Sequence, residues 1–225
     1  MKVIVFGATG GLGQHVWRYA VDAGHDVVVY VRSPHKLDQT DPRHASITVV
    51  EGDVMDATAV QSAADGAEAA INCTSPAGGN ATIDLAKAVV TPSAAAGAKR
   101  FYMVGGMGAL WAPGTDRSVL LQDWEDAEGM QRYGLPPGMP RDMIRKMTRG
   151  HLASMGFMQT TGHPHTFMCP GMMVEGPPSP TRTVTLDELG GRGAGRVSYA
   201  DVAEVLVDDL SEGKLLGHRV CVAPA

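Results

Sequence analysis

The sequence predicts a single α/β domain built on a doubly wound parallel sheet. Apolar strand-like runs alternate with helix-like segments along its 225 residues, and the first run ends in the glycine-rich turn Gly7-Ala8-Thr9-Gly10-Gly11-Leu12-Gly13. A second β-branched run, Asp26–Val31, follows one helix later. Alternation of this kind buries both faces of a parallel sheet under helices. With 44% apolar residues the chain can bury one sizeable core.

Taken in order, Met1–Phe6 reads as a short buried strand that feeds the glycine turn, and Gln14–Ala23 as a helix. Glycines let the backbone turn tightly and come close to a phosphate, while free N–H groups and the positive end of the helix dipole face the anion. A strand before and a helix after give the Gly7-x-x-Gly10-x-x-Gly13 spacing its weight as a dinucleotide turn. Thr9, Gly11 and Leu12 fall inside it as further cofactor-binding candidates.

Asp26–Val31 is too apolar for an edge strand, and it ends at Arg32-Ser33-Pro34-His35-Lys36. A carboxylate at this strand end would bind a free ribose 2′-OH, whereas an arginine accommodates a 2′-phosphate. Here no acid stands at the strand end, and two cations converge. Arginine offers a forked contact and lysine a point charge. Arg32 and Lys36 therefore predict NADP(H) as the cofactor.

Further along, Ile47–Glu51 reads as a strand, Ala57–Ala64 as a helix, Ala69–Cys73 as a strand and Ala81–Ala96 as a helix. Arg100–Val104 is a fifth strand, Met143–Thr161 a helix and Thr166–Cys169 a sixth strand. Ala200–Leu210 is a helix and Arg219–Val222 a closing strand. Gly105–Pro140 breaks the rhythm. It is rich in glycine and proline, carries Trp111 and Trp124, and is long for a routine connection. Its place beyond a strand's carboxyl end suits a segment, at about 105–140, that covers a small-molecule substrate.

Composition narrows the partners. A formal charge of -5 with dispersed basic residues argues against nucleic acid. No run of 18 apolar residues suggests a membrane span, and the N-terminus reads as a core strand rather than a signal peptide. Cys73, Cys169 and Cys221 lie far apart in apolar runs and read as reduced thiols of a cytoplasmic protein. His163-Pro164-His165 lacks an acidic or cysteine third ligand, so no metal site is expected. Asp123, Glu125 and Asp126, around Trp124, read as a solvated helix face. Oligomeric state is not legible.

The glycine turn, Val31-Arg32-Ser33-Pro34, Gly52-Asp53-Val54 and Val104-Gly105-Gly106 together resemble the atypical short-chain dehydrogenase/reductases. Within these, the flavin reductase/biliverdin-IXβ reductase group is the nearest in look. The resemblance implies a Rossmann fold. It also implies Asp53 against the adenine with Val54 beside the ring, and Cys73-Thr74-Ser75 near the ribose and pyrophosphate. Pro170, Met172 and Met173, in the turn after the sixth strand, would line the nicotinamide and the substrate beside it.

Two departures qualify the chemistry. None of Tyr19, Tyr30, Tyr102, Tyr133 and Tyr199 has a lysine four residues on, so the usual Tyr-x-x-x-Lys proton donor is missing. Gly106 stands where the flavin reductase group often has a serine. His151 is the expected substitute, because Ile144, Met147, His151, Met155 and Met158 form one narrow helical stripe facing the sheet. Its position also resembles that of a histidine in the flavin reductase group. Gly106 would leave room over the nicotinamide, and Gly106, Met107, Trp111 and Met173 are the substrate-side candidates. The expected activity is NADPH-dependent reduction of a flat conjugated or apolar acceptor: a flavin, a quinone-like ring or an enone or carbonyl. Two alternatives remain open. One is a non-catalytic NADP(H)-sensing regulator; the other is a non-redox dehydratase, isomerase or cyclase on the same fold.

Overall fold

The computed structural model describes residues 1–75, 81–126, 128, 141–190 and 195–225. The anticipated alternation is present. Strands β1 (Lys2–Phe6), β2 (Asp26–Val31), β3 (Ile47–Glu51), β4 (Ala69–Asn72), β5 (Arg100–Val104) and β6 (His165–Met168) come in chain order. They run parallel in one sheet of order β3-β2-β1-β4-β5-β6. Between them lie helices α1 (Gly11–Asp22), α2 (Ala57–Ala63), α3 (Thr82–Ala95) and α4 (Arg141–Thr161).

The last third adds what the sequence pattern did not reveal. Two three-residue strands, β7 (Met172–Val174) and β9 (Arg196–Ser198), pair in a small separate sheet. β8 (Arg182–Leu186) joins the main sheet antiparallel to β10 (Arg219–Pro224) and forms its outer edge, so the sheet is mostly rather than wholly parallel. Three-residue strands are too short to show a period, and β8 exposes its apolar Val184 and Leu186 while its threonines are half-buried, so its alternation runs against the usual pattern. Helix α5 (Tyr199–Glu212) precedes β10.

Strand alternation divides the core into two layers. Ile4, Phe6, Ala70, Phe101 and Phe167 face α2, α3 and α4, while Val3, Val5, Ile71, Tyr102 and Met168 face α1 and α5. Because β1 sits between β2 and β4, the chain winds outward in both directions from the β1/β4 boundary. At the carboxyl ends of those two strands a crevice opens, the position where open α/β sheets bind ligands. No described helix is long and apolar enough to cross a membrane.

The described front of the covering segment is well packed. Ala109, Leu110, Ala112, Leu121 and Trp124 are buried in the layer beneath α3 and α4. Leu121–Asp123 is a short 3-10 turn rather than a helix face, and Asp123 pairs with Arg145 of α4 at 3.1 Å. The rest of the segment, 127 and 129–140, lies outside the described residues.

Candidate cofactor and active site

α1 begins directly at the glycine turn. Gly10, its N-cap, offers no side-chain acceptor, and the first turn holds no acidic residue. By contrast, Asp56 caps α2, and Ser198 with Asp201 forms a capping box on α5. The leading amides of α1 are thus left for an outside acceptor. Gly7 is fixed by geometry: its φ is +78°, and a β-carbon there would stand 2.6 Å from the Cys73 backbone. A β-carbon on Gly13 would meet the Gly7 carbonyl oxygen at 2.2 Å, so the start of α1 can press onto β1.

A cleft of ≈ 390 Å³ opens beside this turn. Of the anticipated cofactor residues, it is lined by Gly7, Thr9, Gly10, Arg32, Lys36, Val54, Cys73, Thr74 and Ser75. Tyr30, Ser33 and Leu85 complete the wall and were not anticipated. Tyr30 had a readable sign, since Gly52 follows at the end of the neighbouring strand. A β-carbon on Gly52 would stand 2.2 Å from the Tyr30 hydroxyl, which donates to the Asp53 carbonyl at 3.0 Å. Asn72 was also missed. Its buried side-chain oxygen accepts from the Thr74 amide at 3.0 Å and the Thr74 hydroxyl at 2.6 Å, shaping the floor of the cleft.

Other anticipated residues sit differently. Leu12 turns its side chain into the core, 5% exposed, and leaves only its backbone at the helix start. Gly11 faces the Tyr199 ring, 2.6 Å from where a β-carbon would be, so its small size serves packing. The Asp53 carboxylate accepts from the Met55 amide at 3.0 Å and closes its own turn. Pro170, buried, and Met172, 40% exposed, lie after β6 and outside this cleft's wall. Cys73 is half-buried as a residue, but its thiol packs toward the layer under α1, and burial pushes it up to about 12.

The electrostatics of the cleft are uneven. Arg18 and Arg43, nearby, are occupied by Asp38, Asp41 and Asp22. Among the described residues neither Arg32 nor Lys36 has an acidic partner, and both line the cleft. An anion is the ligand such a pair is suited to hold.

On the substrate side, α4 brings His151 to Gly106 at the end of β5. A β-carbon on Gly106 would lie 3.0 Å from the imidazole Cε1 and Nδ1. The room that glycine was expected to leave is therefore filled by the histidine ring. Its Nδ1 is buried without a hydrogen-bond partner, and burial lowers the pKa below the ordinary 6.5. A buried lone pair without a donor costs less than a buried N–H without an acceptor, which favours the neutral tautomer with the proton on Nε2. Met155 and Met158 of the expected stripe are buried below it; the side chains of Ile144 and Met147 fall outside the description.

Trp111 is tied to the far rim. Its amide donates to the Asp187 carbonyl at 2.8 Å, and its ring lies 4.7 Å from the Arg219 guanidinium, which also donates to the Ala109 carbonyl at 2.6 Å. Among the described residues no group of His, Cys, Asp and Glu could hold a metal ion.

Residues 7–212 match the NAD(P)H-binding family, and the chain belongs to it. Among solved structures, a candidate exported protein from Burkholderia pseudomallei superposes with a TM-score of 0.79 at 23% identity, covering 99% of both chains. SP1627 of Streptococcus pneumoniae, described as a candidate NADH-flavin reductase, gives 0.75 at 22% over 100% of both. ChuY of Escherichia coli O157:H7, an anaerobilin reductase, gives 0.73 at 17%, over 100% of this chain and 97% of its own. At these identities the structural likeness establishes a Rossmann fold, in accord with the resemblance to the atypical short-chain dehydrogenase/reductases.

Proposed function

We propose that this member of the NAD(P)H-binding family is an NADPH-dependent reductase of a flat conjugated or apolar acceptor, such as a flavin, a quinone-like ring or an enone or carbonyl. The observation that carries the cofactor choice is the pair Arg32 and Lys36, both lining the cleft and free of acidic partners among the described residues. The relatives described as flavin and anaerobilin reductases support the acceptor class by analogy.

In this proposal the adenine end lies between Tyr30, Val54 and Leu85, with Asp53 shaping the turn behind it. The diphosphate faces Gly7, Thr9, Gly10 and the amides of Gly11 and Leu12. Thr74 and Ser75 flank the ribose, and Pro170, Met172 and Met173 close the nicotinamide side. A nicotinamide held there supplies a hydride. His151 contributes a neutral Nε2–H donor that orients an acceptor oxygen or nitrogen beside Gly106 and Met107. Without a Tyr-Lys pair, the proton reaches the product from solvent, and the neutral imidazole orients the acceptor without giving up its own proton. Unpaired thiols at Cys73, Cys169 and Cys221 favour a cytoplasmic setting.

The test follows the NADPH absorbance band with a panel of flavins, quinones, enones and aldehydes, repeated with NADH. Turnover with a planar acceptor and preference for NADPH are expected. Tight NADPH binding without turnover on any acceptor would overturn the reductase in favour of a cofactor-sensing protein. Substrate conversion without NADPH consumption would point to a dehydratase, isomerase or cyclase.

A further inference from the structure

The connection from β2 to β3 carries the cations of the cleft at its start and is anchored at its far end. Asp41, with 6% of its side chain exposed, accepts four hydrogen bonds. They come from Arg18 Nε at 2.7 Å, Arg43 Nε at 2.8 Å, Arg43 Nη2 at 2.8 Å and the Arg43 amide at 3.0 Å. Arg18 also reaches Asp38 at 3.3 Å, and Arg43 reaches Asp22 at 2.8 Å.

Arg18 and Asp22 both belong to α1, the helix that starts at the glycine turn. The Arg18 guanidinium lies 5.0 Å from the ring of Trp17, which is fully buried. Between Lys36 and Asp38, Leu37 is 3% exposed in the layer under α1. Salt bridges of this kind are buried on one side and hydrogen-bonded throughout, so they hold geometry better than exposed pairs do. Arg43 holds the Asp41 carboxylate well below the usual range, so that this carboxylate stays charged at every ordinary pH.

We infer that Asp41, through Arg18 and Arg43, is a positioning residue for cofactor choice. It locks the 33–43 connection onto α1, so that Lys36 and Ser33 stand at a set distance from the glycine turn and meet a ribose 2′-phosphate together with Arg32. The acids of the cluster also engage the two arginines that do not line the cleft, leaving Arg32 and Lys36 as its uncompensated pair. This rests on the NADPH assignment above. Loosening the connection costs the entropy of ordering it at each binding event, a cost that falls only on the ligand bearing the extra phosphate.

The experiment titrates wild type, Asp41→Asn, Arg43→Gln, Asp41→Glu and Arg32→Ala with NADPH and NADH. AMP and its 2′-phosphorylated form serve as fragments, and circular dichroism checks the fold. Asp41→Asn is expected to weaken NADPH by about tenfold while NADH changes less than about twofold, with partial recovery in Asp41→Glu. Arg43→Gln removes two of the four donors while leaving the carboxylate, and should shift selectivity in the same direction should Asp41→Asn fail to fold. A wild type that prefers NADPH, with variants that keep the full preference, overturns the positioning role and leaves the cofactor assignment standing. A wild type that binds both cofactors equally overturns that assignment and the positioning role with it.

Discussion

Arg32 is the residue on which the proposed preference for NADPH turns. Because it lines the cleft without an acidic partner among the described residues, its loss removes a charge-assisted contact of roughly 1.5–3 kcal/mol with a phosphate. Arg32→Ala should weaken NADPH by that amount in a binding titration and leave NADH nearly unchanged; equal losses would place the phosphate elsewhere. His151 makes a second prediction. Burial lowers its pKa in the folded protein, so between that value and the unfolded 6.5 the unfolded chain binds more protons. Stability should therefore rise with pH across this window and fall on acidification. His151→Phe should flatten the slope of thermal midpoint against pH below the unfolded value, while lowering turnover. An unchanged slope would show the ring to be solvated. Gly106 is coupled to the same ring: Gly106→Ser introduces a β-carbon 3.0 Å from the imidazole and should displace it, lowering turnover more than NADPH affinity.

At the scale of an element, the turn from β1 into α1 contains glycines with different tasks. Gly7, at φ +78° and 2.6 Å from the Cys73 backbone, is required by the fold, and Gly7→Ala should cost more than about 2 kcal/mol of stability. Gly10 has φ -81°, and a β-carbon there would meet only the Gly7 carbonyl oxygen, at 3.3 Å. Gly10→Val should fold, as read by circular dichroism, yet lose cofactor binding because the side chain stands at the helix N-terminus where the diphosphate approaches. Retained affinity would mean that the dinucleotide lies away from this turn. Legibility differs in the same way along the element. The spacing of glycines marked the turn, but only the packing of α5 against α1 reveals that Gly11 faces Tyr199.

For the molecule as a whole, the cleft couples ligand to stability. NADPH at a hundred times its dissociation constant should stabilise the protein by about 2.7 kcal/mol, visible as a raised thermal midpoint, and NADH at the same concentration by less. The covering segment bears on this scale too, since its described part joins β5 to the β8–β10 rim through Trp111, Asp187 and Arg219. Trp111→Ala should cost about 2 kcal/mol of stability with NADPH affinity unchanged. A raised Michaelis constant in a variant of unchanged stability would instead make Trp111 a substrate wall.

Sequence by itself determined the alternation of strands and helices from β1 to β6, the glycine turn and the basic end of β2, because each depends on neighbours a few residues apart. Apolar runs, glycine spacing and strand-end charges are local signals. The tertiary structure decided what depends on distant segments meeting. β8 runs antiparallel to its partner β10, about thirty residues on; Tyr30 reaches the cleft from β2 and Leu85 from α3; and His151 takes the space beside Gly106 because α4 packs across the end of β5. Asp41 reads in the chain as one acid among charged loop residues. Its role appears only when Arg18, more than twenty residues earlier, folds onto it, since a carboxylate's worth is set by the donors that surround it.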